Sequence, residues 1–176
     1  MLLLGTAISA PPVAPVPPPA VAPPATVSPP SSAPGVLSTA AGFVSQQRVV
    51  YRQGDIVYTL STNRPWYGAD DPVDITFTVA NAGADNAVFE FPSTQNYDFA
   101  IRHGNDELAR WSLGQTFVQT PTSLTLAPGH SFSFTTRWLQ KDQYSHSVPP
   151  GVYTLEADFP MIGNVVEVTL QFTRTR

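Results

Sequence analysis

The stretch Val73-Asp74-Ile75-Thr76-Phe77-Thr78-Val79-Ala80 decides the fold. Its odd-numbered positions are apolar, and its even-numbered positions are polar or small. Side chains of a β-strand alternate between faces, so this pattern turns one face to a core and the other to water. Asn81-Ala82-Gly83 follows at once and reads as a turn. The same alternation recurs along the chain. Phe132, Phe134, Thr136 and Trp138 form one inward row, and Tyr153, Leu155, Ala157 and Phe159 another. Val166, Val168, Leu170 and Phe172 form a third. Shorter rows are Ile56, Tyr58 and Leu60, and Tyr97, Phe99 and Ile101. Turn signals stand between them at His103-Gly104-Asn105-Asp106, Ala127-Pro128-Gly129, Pro149-Pro150-Gly151 and Ile162-Gly163-Asn164.

No window shows a convincing 3.6-residue period. The pattern predicts an all-β domain of seven to nine short strands, an immunoglobulin-like antiparallel sandwich, with a closed barrel as the competing architecture. The chain has no Cys. A domain of this size buries enough surface to hold together on its core alone.

Outward from that domain the composition changes. Eleven of the 19 Pro lie between Pro11 and Pro34, and the first charged side chain is Arg48. Residues 11–41 are expected to be a Pro/Ala-rich disordered linker, a semi-stiff spacer of about 75 Å over its Pro-rich part. Residues 1–10, with the apolar run Leu2 to Ile8 and the small residues Ala7 and Ser9, look like a truncated signal peptide. That leader predicts a secreted or envelope location, or a cytoplasmic one if it does not function. The run is too short to span a membrane. Residues 42–176 are then the domain.

Net charge is −4, with one Lys and eight Arg, so no basic patch for nucleic acid is available. Zero Cys removes thiolate metal sites and a Cys nucleophile. His103, His130 and His146 fall in turns or loops at spacings that match no metal motif. Asp70, Asp71 and Asp74 could offer oxygen to a calcium ion, but read better as turn formers before Pro72 and an outward strand residue. No Gly-x-Ser-x-Gly elbow is present, and Asp142, Ser145 and His146 are neighbours on one loop, where a triad seldom aligns. The expectation is a protein that is not an enzyme and uses no cofactor and no metal.

Several consecutive motifs carry a resemblance. They are Phe77-Thr78-Val79-Ala80-Asn81-Ala82-Gly83, then Phe89-Glu90-Phe91, then Gln95-Asn96-Tyr97-Asp98-Phe99. Arg110-Trp111-Ser112 with Gly114 and Phe117-Val118-Gln119 follows, then Leu126-Ala127-Pro128-Gly129, Trp138 and Pro150-Gly151-Val152-Tyr153. In this order they resemble the intracellular proteinase inhibitor (BsuPI) family over Val73 to Asp158. That family often has an aromatic two positions before the Trp, where this chain has Ala109.

The resemblance implies a protein that binds and blocks a subtilisin-type serine protease. Such a protein needs a stiff convex loop, so that little freedom is lost on docking. Three loops have the length: Asn63 to Pro72, Ser112 to Thr122 and Gln140 to Gly151. Their candidate contacts are Trp66 and Tyr67, Ser112, Leu113 and Phe117, and Tyr144. Trp111 and Trp138 read as core residues. The competing expectation is a non-inhibitory immunoglobulin-like module for adhesion or assembly at the cell envelope. In either case the domain is expected to be a monomer.

Overall fold

A computed structural model describes residues 46–176. The expected leader 1–10 and linker 11–41 lie outside the described residues. The described chain is all β, an antiparallel sandwich with eleven strands. One sheet has the order β1 (Gln47–Gln53), β2 (Ile56–Thr62), β4 (Val73–Asn81), β9 (Ser131–Trp138). The other has the order β3 (Trp66–Tyr67), β11 (Asn164–Arg174), β10 (Gly151–Met161), β6 (Asp98–His103), β7 (Asp106–Arg110). A two-stranded ribbon pairs β5 (Ala87–Phe91) with β8 (Thr122–Leu126).

The count exceeds seven to nine because β3, β5, β7 and β8 are short and lie at edges or in the ribbon, where alternation has little core to report. All pairings are antiparallel except that of β3 with β11.

The alternation in β4 becomes burial. Val73, Ile75, Phe77 and Val79 are all buried, and the residues between them are half-buried. Burying each such side chain is worth roughly 1.5–3 kcal/mol. At the centre Phe159 of β10 packs against five rings: Phe91 at 5.0 Å, Phe89 at 5.2 Å, Tyr58 at 6.0 Å, and Phe77 and Phe134 at 6.3 Å. Tyr58, Phe77 and Phe134 belong to the facing sheet and Phe89 and Phe91 to the ribbon, so one side chain of β10 ties its own sheet to both.

The Asn81 turn does more than reverse the chain. Its buried side chain donates to the carbonyls of Asp85 (2.7 Å) and Leu126 (2.9 Å) and accepts from the Gly83 amide (2.9 Å). This fastens the end of β4 to the ribbon. A Cβ at Gly83 would stand 2.9 Å from the Asp55 side chain, so the position has room for Gly alone.

Candidate functional site

The connection from β7 to β8 is held at both ends by groups the rest of the fold positions. Asp98 opens β6 and is buried. Its carboxylate accepts from the Ser112 amide (3.1 Å), the Ser112 hydroxyl (2.6 Å) and Arg110 Nη1 (3.0 Å). It also accepts from the Phe99 amide at 2.8 Å. A carboxylate that receives this many donors is strongly directional, because charge-assisted bonds are short and about twice as strong as neutral ones.

Beyond Ser112 the chain closes a turn over 111–114. Leu113 donates to the Arg110 carbonyl (3.2 Å), and Gly114 adopts φ +79° to complete it. That φ is left-handed and disfavours any residue with a Cβ. At the far end the Thr94 amide donates to the Val118 carbonyl (3.0 Å), and the Val118 amide donates to Thr94 Oγ1 (3.1 Å). The Thr122 hydroxyl donates to the Ser93 carbonyl at 2.8 Å.

An aromatic stack supports the loop from beneath. Tyr97 lies 4.3 Å from Phe134 and 4.2 Å from Trp111, and Trp111 lies 5.9 Å from Phe117. Trp111 and Phe117 are therefore half-buried struts, with Trp111 packed against the core and Trp138 within it. Leu113 (58% exposed) and Val118 (63%) project from the loop's outer side. Beside Trp111 a cavity of about 150 Å³ opens between the ends of β7 and β9. Ala109 lines it, so the small residue at the position where the resembling family often has an aromatic leaves this space.

The connection from β9 to β10 runs along the free edge of β7, where the Gln143 amide donates to the Leu108 carbonyl at 2.7 Å. Its tip is closed by Asp142 Oδ1, which accepts from the amides of Tyr144 (2.9 Å) and His146 (2.8 Å). Tyr144 stands 71% exposed at that tip. Gln140, buried at its root with φ +57°, donates from Nε2 to the carbonyls of Gly68 (2.5 Å) and Asp71 (2.6 Å). Two of the expected loops thus flank one edge of the sandwich.

The third touches them only at the root, through the Gly68 and Asp71 carbonyls that receive Gln140, and its aromatic residues do not join them. Trp66 and Tyr67 form β3 at the opposite edge of the same sheet, four strand spacings or about 19 Å from β7. Tyr67 is not a loop contact at all. It is fully buried, its hydroxyl donates to Asn63 Oδ1 (2.7 Å) and accepts from the Arg64 amide (2.9 Å), and its ring meets Phe172 edge-on. Trp66, its neighbour on the other face, is 60% exposed.

Ion pairs extend from the Asp98 clamp over the outer face of β6, β7 and β10. Arg110 meets Glu107 (2.8 Å) and Asp158 (3.5 Å), and Arg102 bridges Glu107 (2.9 Å) and Glu156 (2.8 Å). Hydrogen bonding from Arg110 holds the Glu107 carboxyl below its usual range. Burial pushes Asp158 upward, Arg110 opposes that, and the nearby carboxylates Glu167 and Asp98 reinforce it.

The groups that could have suggested chemistry are engaged elsewhere. Asp71 pairs with Arg64 (3.1 Å), Asp74 with Arg137 (2.6 Å) and His146 with Asp142 (3.3 Å), and His103 stacks on Tyr153. Among the described residues no three His, Cys, Asp or Glu side chains are grouped to hold a metal ion. No helix among them is long and apolar enough to cross a membrane.

Alternation alone marks Asp98 only as a polar residue beside the inward Phe99, and nothing in the sequence points to Val118 or Thr94 as partners. The one signal for the clamp was that Tyr97-Asp98-Phe99 and Arg110-Trp111-Ser112 occur together.

Comparison with known proteins places the chain. The family model described as intracellular proteinase inhibitor (BsuPI) matches residues 49–162, which adds the β1–β2 hairpin to the stretch recognised by its motifs. No curated protein sequence matches.

Solved structures resemble the chain only remotely. Spo0M, a sporulation control protein from Bacillus subtilis, is 12% identical with a TM-score of 0.43, over 70% of this chain and 51% of that one. A β-glucosidase from Erythrobacter marinus is 16% identical with a TM-score of 0.39, over 74% of this chain and 15% of the enzyme. The alkylpurine DNA glycosylase AlkC from Pseudomonas fluorescens, bound to DNA, is 11% identical with a TM-score of 0.39, over 65% and 29%. The chain thus spans from about a seventh to a half of the length of these proteins.

The family's description corrects the expectation of a secreted or envelope protein, because it names an intracellular inhibitor and points to the cytoplasm. The apolar run Leu2 to Ile8 lies outside the described residues. Matched over well more than half its length, the chain belongs to the BsuPI family of intracellular proteinase inhibitors, a family of inhibitors rather than enzymes.

Proposed function

We propose that the chain inhibits serine proteases of the subtilisin type, binding one protease per monomer without a covalent bond. Contact is made by the β7–β8 loop, with Ser112 as its anchor and Leu113 at its tip, and by Tyr144 on the adjoining loop. Residues 42–176 act as the inhibitory domain and 11–41 as a spacer before it.

The observation that carries this reading is the Asp98 clamp. It holds a loop with exposed apolar side chains from beneath, through Ser112 and Arg110, so the loop is ordered before it meets a partner. Ordering a free loop costs about 1–2 kcal/mol per residue, and a loop already fixed avoids that cost on binding. Apolar tips such as Leu113 and Tyr144 suit a cleft that prefers large apolar groups.

The test compares the full chain with Leu113→Asp, Tyr144→Asp and, on the far edge, Trp66→Asp. The first two are expected to raise the inhibition constant at least about thirtyfold, as loss of a central interface contact does. Trp66→Asp is expected to leave it unchanged. Equal inhibition by all four proteins would remove these loops from the interface.

A further inference from the structure

A substrate-like inhibitor lays an extended segment into the protease cleft. The amide and carbonyl of the residue entering the primary pocket then bond to the enzyme's own groups. Those main-chain groups must be free, and the exposed apolar side chains of the two loops sit on residues whose amides are already bonded within the fold. The Leu113 amide is bound to the Arg110 carbonyl at 3.2 Å. The Val118 amide and carbonyl are both bound to Thr94, at 3.1 and 3.0 Å. The Tyr144 amide is bound to Asp142 at 2.9 Å.

The turn around Leu113 is tightened further. Gln115 donates from its amide to the Ser112 carbonyl (3.0 Å) and from Nε2 to the Trp111 carbonyl (2.6 Å). Phe117, next to Val118, keeps its ring against Trp111, and its carbonyl accepts from Gln119 Nε2 at 3.2 Å. Entering a cleft as a strand would break these bonds and unfold a turn the core supports.

We propose that Leu113, Val118 and Tyr144 cap the rim of the protease cleft by side-chain contact alone, offering no peptide bond to the catalytic serine. This rests on the protease-docking reading above and specifies how that same surface works. It makes the inhibitor indifferent to whether the primary pocket is filled.

The experiment titrates the full chain against a subtilisin-type protease in two forms. One is free, and the other has its catalytic serine sulfonylated by phenylmethylsulfonyl fluoride, which fills the primary pocket. The expected result is a Kd for the two forms that agrees within about tenfold. Prolonged incubation with the active protease is expected to leave residues 112–121 and 142–147 uncut. A larger loss of binding to the sulfonylated form, or a specific cut in either loop, overturns the proposal while leaving inhibition itself standing. A chain that binds neither form overturns the docking reading and the proposal with it.

Discussion

Asp98 is where a single side chain matters most to the proposed surface. Asp98→Ala leaves the Ser112 amide, the Ser112 hydroxyl and one Arg110 nitrogen without their acceptor. The expected cost is about 2 kcal/mol of stability, since bonds to a charged acceptor are worth more than neutral ones. Amide exchange at Ser112 and Leu113 should accelerate more than in the core, and hydrogen-exchange measurements on both proteins check this.

Asp158, beside the same Arg110, behaves in the opposite sense. Its folded-state pKa is raised by burial, so the folded state binds the proton more readily and ionising Asp158 costs stability as pH rises through that pKa. Asp158→Asn should therefore raise the melting temperature at pH 8, with the gain shrinking as pH falls toward the acid range. Melting curves across pH test the sign. The role of Asp98 could not be read from the chain. Alternation shows only that it is polar beside an inward Phe99, whereas its partners come from a turn fourteen residues later.

Among elements, the long strands were legible and the edges were not. β4, β10 and β11 each bury one complete face, so their period of two is clean. β7, Asp106-Glu107-Leu108-Ala109-Arg110, lies at an edge with no fully buried residue, and its sequence shows no matching alternation. β3 misled for a different reason. Large aromatics between Pro65 and Gly68 suggest an exposed loop, but a parallel pairing with β11 sends Tyr67 into the core.

The β7–β8 loop itself offers two checks. Gly114→Ala, at φ +79°, should cost about 1 kcal/mol because the turn forces a side chain into a left-handed conformation. Ala109→Phe should fill part of the 150 Å³ space beside Trp111 and stabilise by about 1 kcal/mol. Denaturant midpoints of the two variants should move in opposite directions.

The whole molecule depends on a core without a covalent cross-link, for the chain has no Cys. Phe159 touches rings from the facing sheet and the ribbon, so Phe159→Ala should cost about 3–5 kcal/mol. Against a total of about 5–15 kcal/mol for a domain, that variant stands near the limit of folding. The same rigidity lets two distant stretches of sequence present Leu113 and Tyr144 along one edge.

Blocking of a protease by this edge is what the clamp and the exposed tips are proposed to serve. Its most direct test is titration of an active subtilisin-type serine protease with the full chain, following hydrolysis of a protein substrate. Activity is expected to fall linearly to near zero at one chain per protease, with the chain intact. Undiminished activity at a large molar excess, or digestion of the chain, would contradict it.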